Sequence, residues 1–167
     1  VCIAAKRIIV ERPIADEFTQ RFVAEVSKIK VGDPEDPATE MGPMARERLR
    51  AEVHDLVQAS VAKGARILTG GLIPEGRGTF YPPTVLVDVT NDMPICREET
   101  FGPVAPILVA GDAEHAVALA NDSNFGLSSA LWTRNTSRAA NLATRIEAGA
   151  VYINGFSASD PRVPIGG

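Results

Sequence analysis

Cysteine is scarce: Cys2 and Cys96 are the only two in 167 residues. Two cysteines do not make a disulfide framework, and a reduced cytosolic setting fits them better. Basic charge of the kind that marks a nucleic-acid binder is lacking too. Seventeen lysines and arginines face 21 aspartates and glutamates, for a formal charge of −4, which sets nucleic-acid binding aside. No apolar run approaches the roughly 20 residues of a membrane span. Neither a G-x-G-x-x-G nor a phosphate-loop pattern occurs, and Gly70-Gly71, Gly76 and Gly78 read as turn glycines. No Cys/His/Asp cluster has metal-ligand spacing, so no metal is expected. The two histidines, His54 and His115, fall on helices at exposed or boundary positions. There is no internal repeat.

The length and an apolar content of 45% are enough for one compact domain with a core. The chain begins at Val1 with no initiator methionine or signal segment and stops at Pro164-Ile165-Gly166-Gly167. It therefore reads as a piece of something longer, and an absent targeting signal carries no information. Along it, Ala5–Glu11 reads as a strand. Pro13 opens a helix with Ile14, Phe18, Phe22, Val23 and Val26 on one face. The stretch 31–43, with three prolines and two glycines, is a loop. A second amphipathic helix spans about Ala45–Lys63, with Leu49, Val53, Leu56, Val57 and Val61 aligned, and stops at Gly64.

Farther on, Ala65–Thr69 reads as a strand and Gly70–Gly78 as a polar loop. Tyr81–Val89 is extended, since its prolines forbid helix. Val104–Ala110 is an apolar strand, Asp112 caps a helix to about Asn121, and Leu127–Thr133 is a strand. Asn135 starts a helix reaching Glu147, and Ala150–Asn154 is a further strand. Strands alternating with helices predict an α/β fold: a layered helix–sheet–helix domain with a largely parallel sheet. Its interior strands should be apolar on both faces, as Val104–Ala110 and Leu127–Leu131 nearly are.

Local rules are broken in Arg97–Pro106 (REETFGPVAP). Glu98 and Glu99 repel each other between two apolar stretches, and Pro103 lacks the backbone donor a central strand needs. A solvated loop charge accounts easily for one glutamate, less easily for a pair against the stiff Phe101-Gly102-Pro103. A rigid carboxylate beside an aromatic ring suits a sugar diol with a flat ring nearby. Cys2 is a candidate nucleophile. A lone cysteine is usually a small buried hydrophobe, but Ala4-Ala5 follow it with little bulk. A turn of helix beginning there would stabilise a thiolate through the free amides and the dipole. Cys96, between Ile95 and Arg97, reads as structural.

Several blocks resemble the aldehyde dehydrogenase superfamily. Val1-Cys2, the alanine-rich turn and Lys6-Arg7-Ile8 are similar to its nucleophile segment. Glu98-Glu99-Thr100-Phe101-Gly102-Pro103-Val104 looks like its E-E-x-F-G-P signature. Asn121–Leu127, Gly149–Asn154 and Pro164–Gly167 match three more blocks in order, with Ile165 where an aromatic is usual. Within the superfamily the likeness is greatest to bacterial succinate-semialdehyde dehydrogenases, through V-C-x-A-A-K-R and N-G-x-x-A-S-D.

The resemblance implies a catalytic domain over 1–167, with the dinucleotide-binding domain, general base and oxyanion amide lying upstream of Val1. It implies Cys2 as nucleophile, Glu99 holding the nicotinamide ribose hydroxyls and Phe101 packing near the nicotinamide. Ser159, in the loop 155–164, would contact the distal carboxylate of the substrate; Arg162 is attractive beside it on charge alone but matches no motif position of the family, and an upstream arginine is the other source of charge. NAD or NADP is the implied cofactor. The whole enzyme would be a cytoplasmic homo-oligomer, and these residues alone would be inactive. Ala4 stands where some members carry a second, redox-switching cysteine. A different aldehyde and a non-enzymatic structural relative both remain open, although a scaffold has no need of Cys2, Glu99 and Phe101 together.

Overall fold

β-Branched runs and helical-period segments form six strands and five helices among the described residues. The computed structural model describes residues 2–164 and 166; Val1, Ile165 and Gly167, which belong to the nucleophile segment and the terminal block, lie outside the described residues. Two compact units form, one from residues 6–109 and one from 1–5 with 110–167.

In the unit of residues 6–109, strand β1 (Ile8–Glu11) leads directly into helix α1 (Arg12–Val26). Pro13 sits in its first turn, where no intrahelical donor is lost. Helix α2 (Glu47–Ala62) closes on Lys63 and Gly64, and Gly64 takes φ 108°, which a side chain would resist. Strand β2 (Arg66–Thr69) pairs antiparallel with β3 (Thr84–Val87), and β3 pairs parallel with β4 (Val104–Ala110). The sheet order is β1-β4-β3-β2. The expected strand over Tyr81–Val89 is shorter because Pro82 and Pro83 have no N–H to pair and Asp88 turns left-handed at φ 56°. A four-residue helix α3 (Pro94–Arg97) precedes the acidic pair.

Side chains alternate across the sheet. Val85, Val87 and Ile107 face a group with Val10, Ala15 and, from α1, Phe18, Phe22, Val23 and Val26. Leu86, Val104 and Leu108 face the opposite way, onto Val53 and Val57 of α2 and Ile95 and Cys96 of α3. Helices thus cover both faces, and β3 is buried along its whole length, as a doubly covered sheet requires. The Phe18 and Phe22 rings stack at 5.6 Å. Ile14, expected on the same face, is exposed.

In the other unit, Asp112 caps helix α4 (Ala113–Asn121) by accepting the His115 amide at 2.8 Å. Strand β5 (Ser128–Leu131) pairs parallel with β6 (Ala150–Ile153). Helix α5 (Thr136–Ala143), capped by Asn135, packs Leu142 with Ala113, Val117, Leu131 and Ile146. Strand β5, whose nearly apolar faces suit an interior strand, lies in a two-stranded sheet and is only partly covered. Asn154 ends the pair in a left-handed conformation, φ 52°. Its side chain accepts from the Thr133 amide at 2.8 Å and donates to the Thr133 carbonyl at 2.9 Å. Those bonds hold together the two chain ends that leave the strands.

Candidate active site

The loop after α3 is held by backbone and side-chain contacts on several sides. The Glu98 amide donates to Pro94 O at 3.0 Å, and the Thr84 amide donates to Pro103 O at 2.8 Å, tying the loop to β3. Gly102 lies so close to Val53 that an added Cβ would meet its Cγ2 at 2.8 Å. Thr100 turns inward and is buried, while Glu98 and Glu99 are exposed and Phe101 keeps 48% of its surface open. Lys6 donates from Nζ to Thr100 O at 2.7 Å, and its ammonium stands 4.6 Å from the centre of the Phe101 ring. The loop therefore offers a carboxylate with two acceptor oxygens and an open aromatic ring, separated by one anchored residue. That pair fits a sugar diol and a flat ring.

The two cysteines stand in opposite surroundings. Cys96 is buried on the core side of α3, and burial pushes its thiol up to about 11 despite the charges of Arg7 and Arg97. It is a neutral packing residue at ordinary pH. Cys2 is exposed. The expected helical turn is not there: residues 2–4 form a turn and a bend, and the next element is β1. The chain must extend within a few residues to enter that strand, which leaves no length for helical hydrogen bonds. No helix dipole therefore acts on Cys2. Its openness and the small residues after it remain.

Ser159 lines a cleft in the same unit as Cys2. Ile3, Ser128, Tyr152, Ser157 and Asp160 lie around it. Ala150 and Tyr152 project to this side because alternate residues of a strand share a face. Tyr152 donates its hydroxyl to Ala158 O at 2.5 Å, and Ser128 Oγ bonds Ser157 Oγ at 3.0 Å, so the loop is fixed on both sides of Ala158. Arg162 pairs with its near neighbour Asp160. It grips Asp160 through Nε at 2.9 Å and Nη2 at 2.6 Å. The Asp160 carboxyl is held below its usual range by that guanidinium and by the Arg162 amide.

Sequence reasoning passed over Tyr152 and Lys6 as site residues. The period of two in β6 could have placed Tyr152 toward the cleft. No local pattern announces that Lys6 reaches Thr100. His54 is half-buried beside Tyr81, with its Nδ1 3.2 Å from the tyrosine hydroxyl. Among the described residues no three His, Cys, Asp or Glu side chains gather as a metal site. No described helix is long and apolar enough to cross a membrane.

The model of the aldehyde dehydrogenase family matches residues 1–167. Succinate semialdehyde dehydrogenase (NAD(P)+) Sad of Escherichia coli (strain K12) is 54% identical over 167 residues, covering 100% of this chain and 36% of that protein. Succinate-semialdehyde dehydrogenase (NADP(+)) of Mycobacterium leprae (strain TN) is 47% identical over 166 residues, covering 99% and 36%. The crystal structure of betaine aldehyde dehydrogenase from Staphylococcus aureus in complex with NAD+ superposes with a TM-score of 0.95 at 35% identity. It is covered over 34% of its length, against 99% of this chain. This chain thus spans little more than a third of the length of the curated relatives it matches. With the family model covering every residue, the chain belongs to the aldehyde dehydrogenase family.

Proposed function

We propose that these residues form catalytic-domain machinery of an NAD(P)-dependent dehydrogenase that oxidises succinate semialdehyde to succinate. The supporting observation is the anchored loop that presents Glu99 and Phe101 side by side, with Thr100 buried between them. Likeness to succinate-semialdehyde dehydrogenases over the whole chain supports the substrate. The homo-oligomer and the cytoplasmic setting implied by that likeness belong to the same proposal.

In this reading Glu99 accepts hydrogen bonds from the ribose hydroxyls of the cofactor, and Phe101 gives the nicotinamide a packing surface. The dinucleotide, when bound, supplies the acceptor for a hydride. Cys2 Sγ, as thiolate, adds to the aldehyde carbon to form a thiohemiacetal. The Cys2 backbone amide is one donor to the developing oxyanion. After hydride leaves that carbon, Cys2 carries a thioester. Water cleaves it, releasing the acid and restoring the thiol. Ser159 donates a hydrogen bond to the distal carboxylate of the substrate.

The test uses the full-length protein. Cys2→Ala abolishes oxidation of succinate semialdehyde, and Cys96→Ala leaves it nearly intact. Glu99→Gln slows single-turnover hydride transfer while weakening cofactor binding only modestly, because displacing the reacting atoms is costly. Equal losses for the two cysteine variants, or unchanged hydride transfer in Glu99→Gln, would refute the assignment.

A further inference from the structure

We propose that Lys6 is a positioning residue for the cofactor loop: one ammonium sets the peptide between Glu99 and Phe101 and holds the Phe101 ring. This rests on the cofactor role given above to Glu99 and Phe101. Two contacts carry it. Lys6 Nζ donates to Thr100 O at 2.7 Å and lies 4.6 Å from the Phe101 ring centre. The carbonyl of Thr100 belongs to the peptide plane that leads into Phe101, so fixing it fixes the backbone nitrogen from which Phe101 departs. The same ammonium attracts the ring face, which limits the torsions left to the side chain.

The base of Lys6 is itself secured. The next residue, Arg7, donates from Nη1 to Asn91 Oδ1 at 2.8 Å, and β1 begins at Ile8. Lys6 lies in a bend two residues ahead of β1, and a charged group with an anchored neighbour, reaching a loop from the side, can hold a site in place. The alternative is a plain fold-stabilising contact, and exposure separates the two. Glu99 is exposed and Phe101 leaves 48% of its surface open, and neither belongs to a core cluster, whereas β4 and α2 hold the unit together through buried apolar side chains. Loss of Lys6 should therefore loosen the loop and spare the core.

The experiment compares Lys6→Met and Lys6→Arg with wild type in the full-length protein, with Glu99→Gln as reference. Amide hydrogen exchange without cofactor reads the loop directly. In Lys6→Met, exchange of 98–102 should rise about tenfold, the loss of one charge-assisted hydrogen bond, while exchange in β4 stays unchanged. Single-turnover hydride transfer should fall by a similar factor, with KM for the dinucleotide and the melting temperature nearly unmoved. Lys6→Arg, which keeps a donor and a cation for the ring, should recover most of both losses. Unchanged loop exchange in Lys6→Met overturns the proposal. So does faster exchange spread through β1 and β4, or an equal loss in Lys6→Arg. If Glu99→Gln slows hydride transfer and Lys6→Met does not, Lys6 is wrong and the cofactor reading stands. If Glu99→Gln has no effect, the cofactor reading fails, and loop exchange still decides whether Lys6 holds the loop.

Discussion

Gly102 is the point at which the candidate cofactor loop touches the core, and replacing it with alanine tests that contact. The new methyl would meet Val53 Cγ2 at 2.8 Å and Cγ1 at 3.0 Å. Val53 cannot turn away. It is buried at 4% exposure among core side chains, and a β-branched residue in a helix keeps essentially one rotamer. The loop must lift instead, at a cost of about 1–3 kcal/mol for overpacking. For a domain of this size each kcal/mol moves the melting midpoint by roughly 2–4 °C.

Val53→Ala alone removes two buried methyls, each worth about 0.8 kcal/mol of transfer, plus the cavity left behind, so about 2 kcal/mol in total. Combined, the two changes offset each other, because the second removes the carbons that the first would strike. The double variant should lie ~1–2 kcal/mol above the sum of the single effects, a coupling expected only between residues in contact. Denaturant unfolding of all four proteins measures it. Costs that add to within ~0.5 kcal/mol would show that Gly102 is not held against Val53.

Ser159→Ala should lower kcat/KM for succinate semialdehyde roughly ten- to hundred-fold, the value of one hydrogen bond to a charged group at ~1.5–3 kcal/mol. Butanal, which lacks the carboxylate, should lose far less, and an unmoved ratio between the two substrates removes Ser159 from the site. Cys96 gives a pH prediction. Its folded-state thiol titrates at about 11, above the roughly 8.5 of a free cysteine, so between those values the unfolded chain binds fewer protons. Stability therefore falls as pH rises through that window, and Cys96→Ala should flatten the fall; an identical pH slope in both proteins would refute the buried neutral thiol.

The parts of the fold legible in the sequence are those where one local rule acts alone. The strand Val104–Ala110 and the Asp112-capped helix ending at Asn121 are found with the bounds expected, because an apolar run and a cap specify them locally. The helix starting at Asn135 stops at Ala143 instead of reaching Glu147. There Thr144 Oγ1 donates to Asn141 O, and Arg145 and Ile146 make tight turns back to Leu142 and Ala143. Arg145 is also drawn to Glu114, a partner distant in sequence. Helix α3 is too short to show a period. At the site, the exposed Glu99 and Phe101 could be read from the conflict they create. The fixing of their loop by Lys6 and Val53, and the capture of Arg162 by Asp160, depend on chain geometry that no spacing encodes.

The clamp between Asn154 and Thr133 has a consequence for how this protein can change over generations. It completes the hydrogen bonding of the β5–β6 pair before the Ser159 loop begins. The strands do not rely on that loop for their last backbone partners. Replacements, insertions or deletions within 155–164 can then be tried without unravelling the sheet, while Asn154 itself, left-handed and using both amide atoms, has few substitutes. Asparagine at the boundary lets the segment that carries Ser159 diversify while its foundation stays constant.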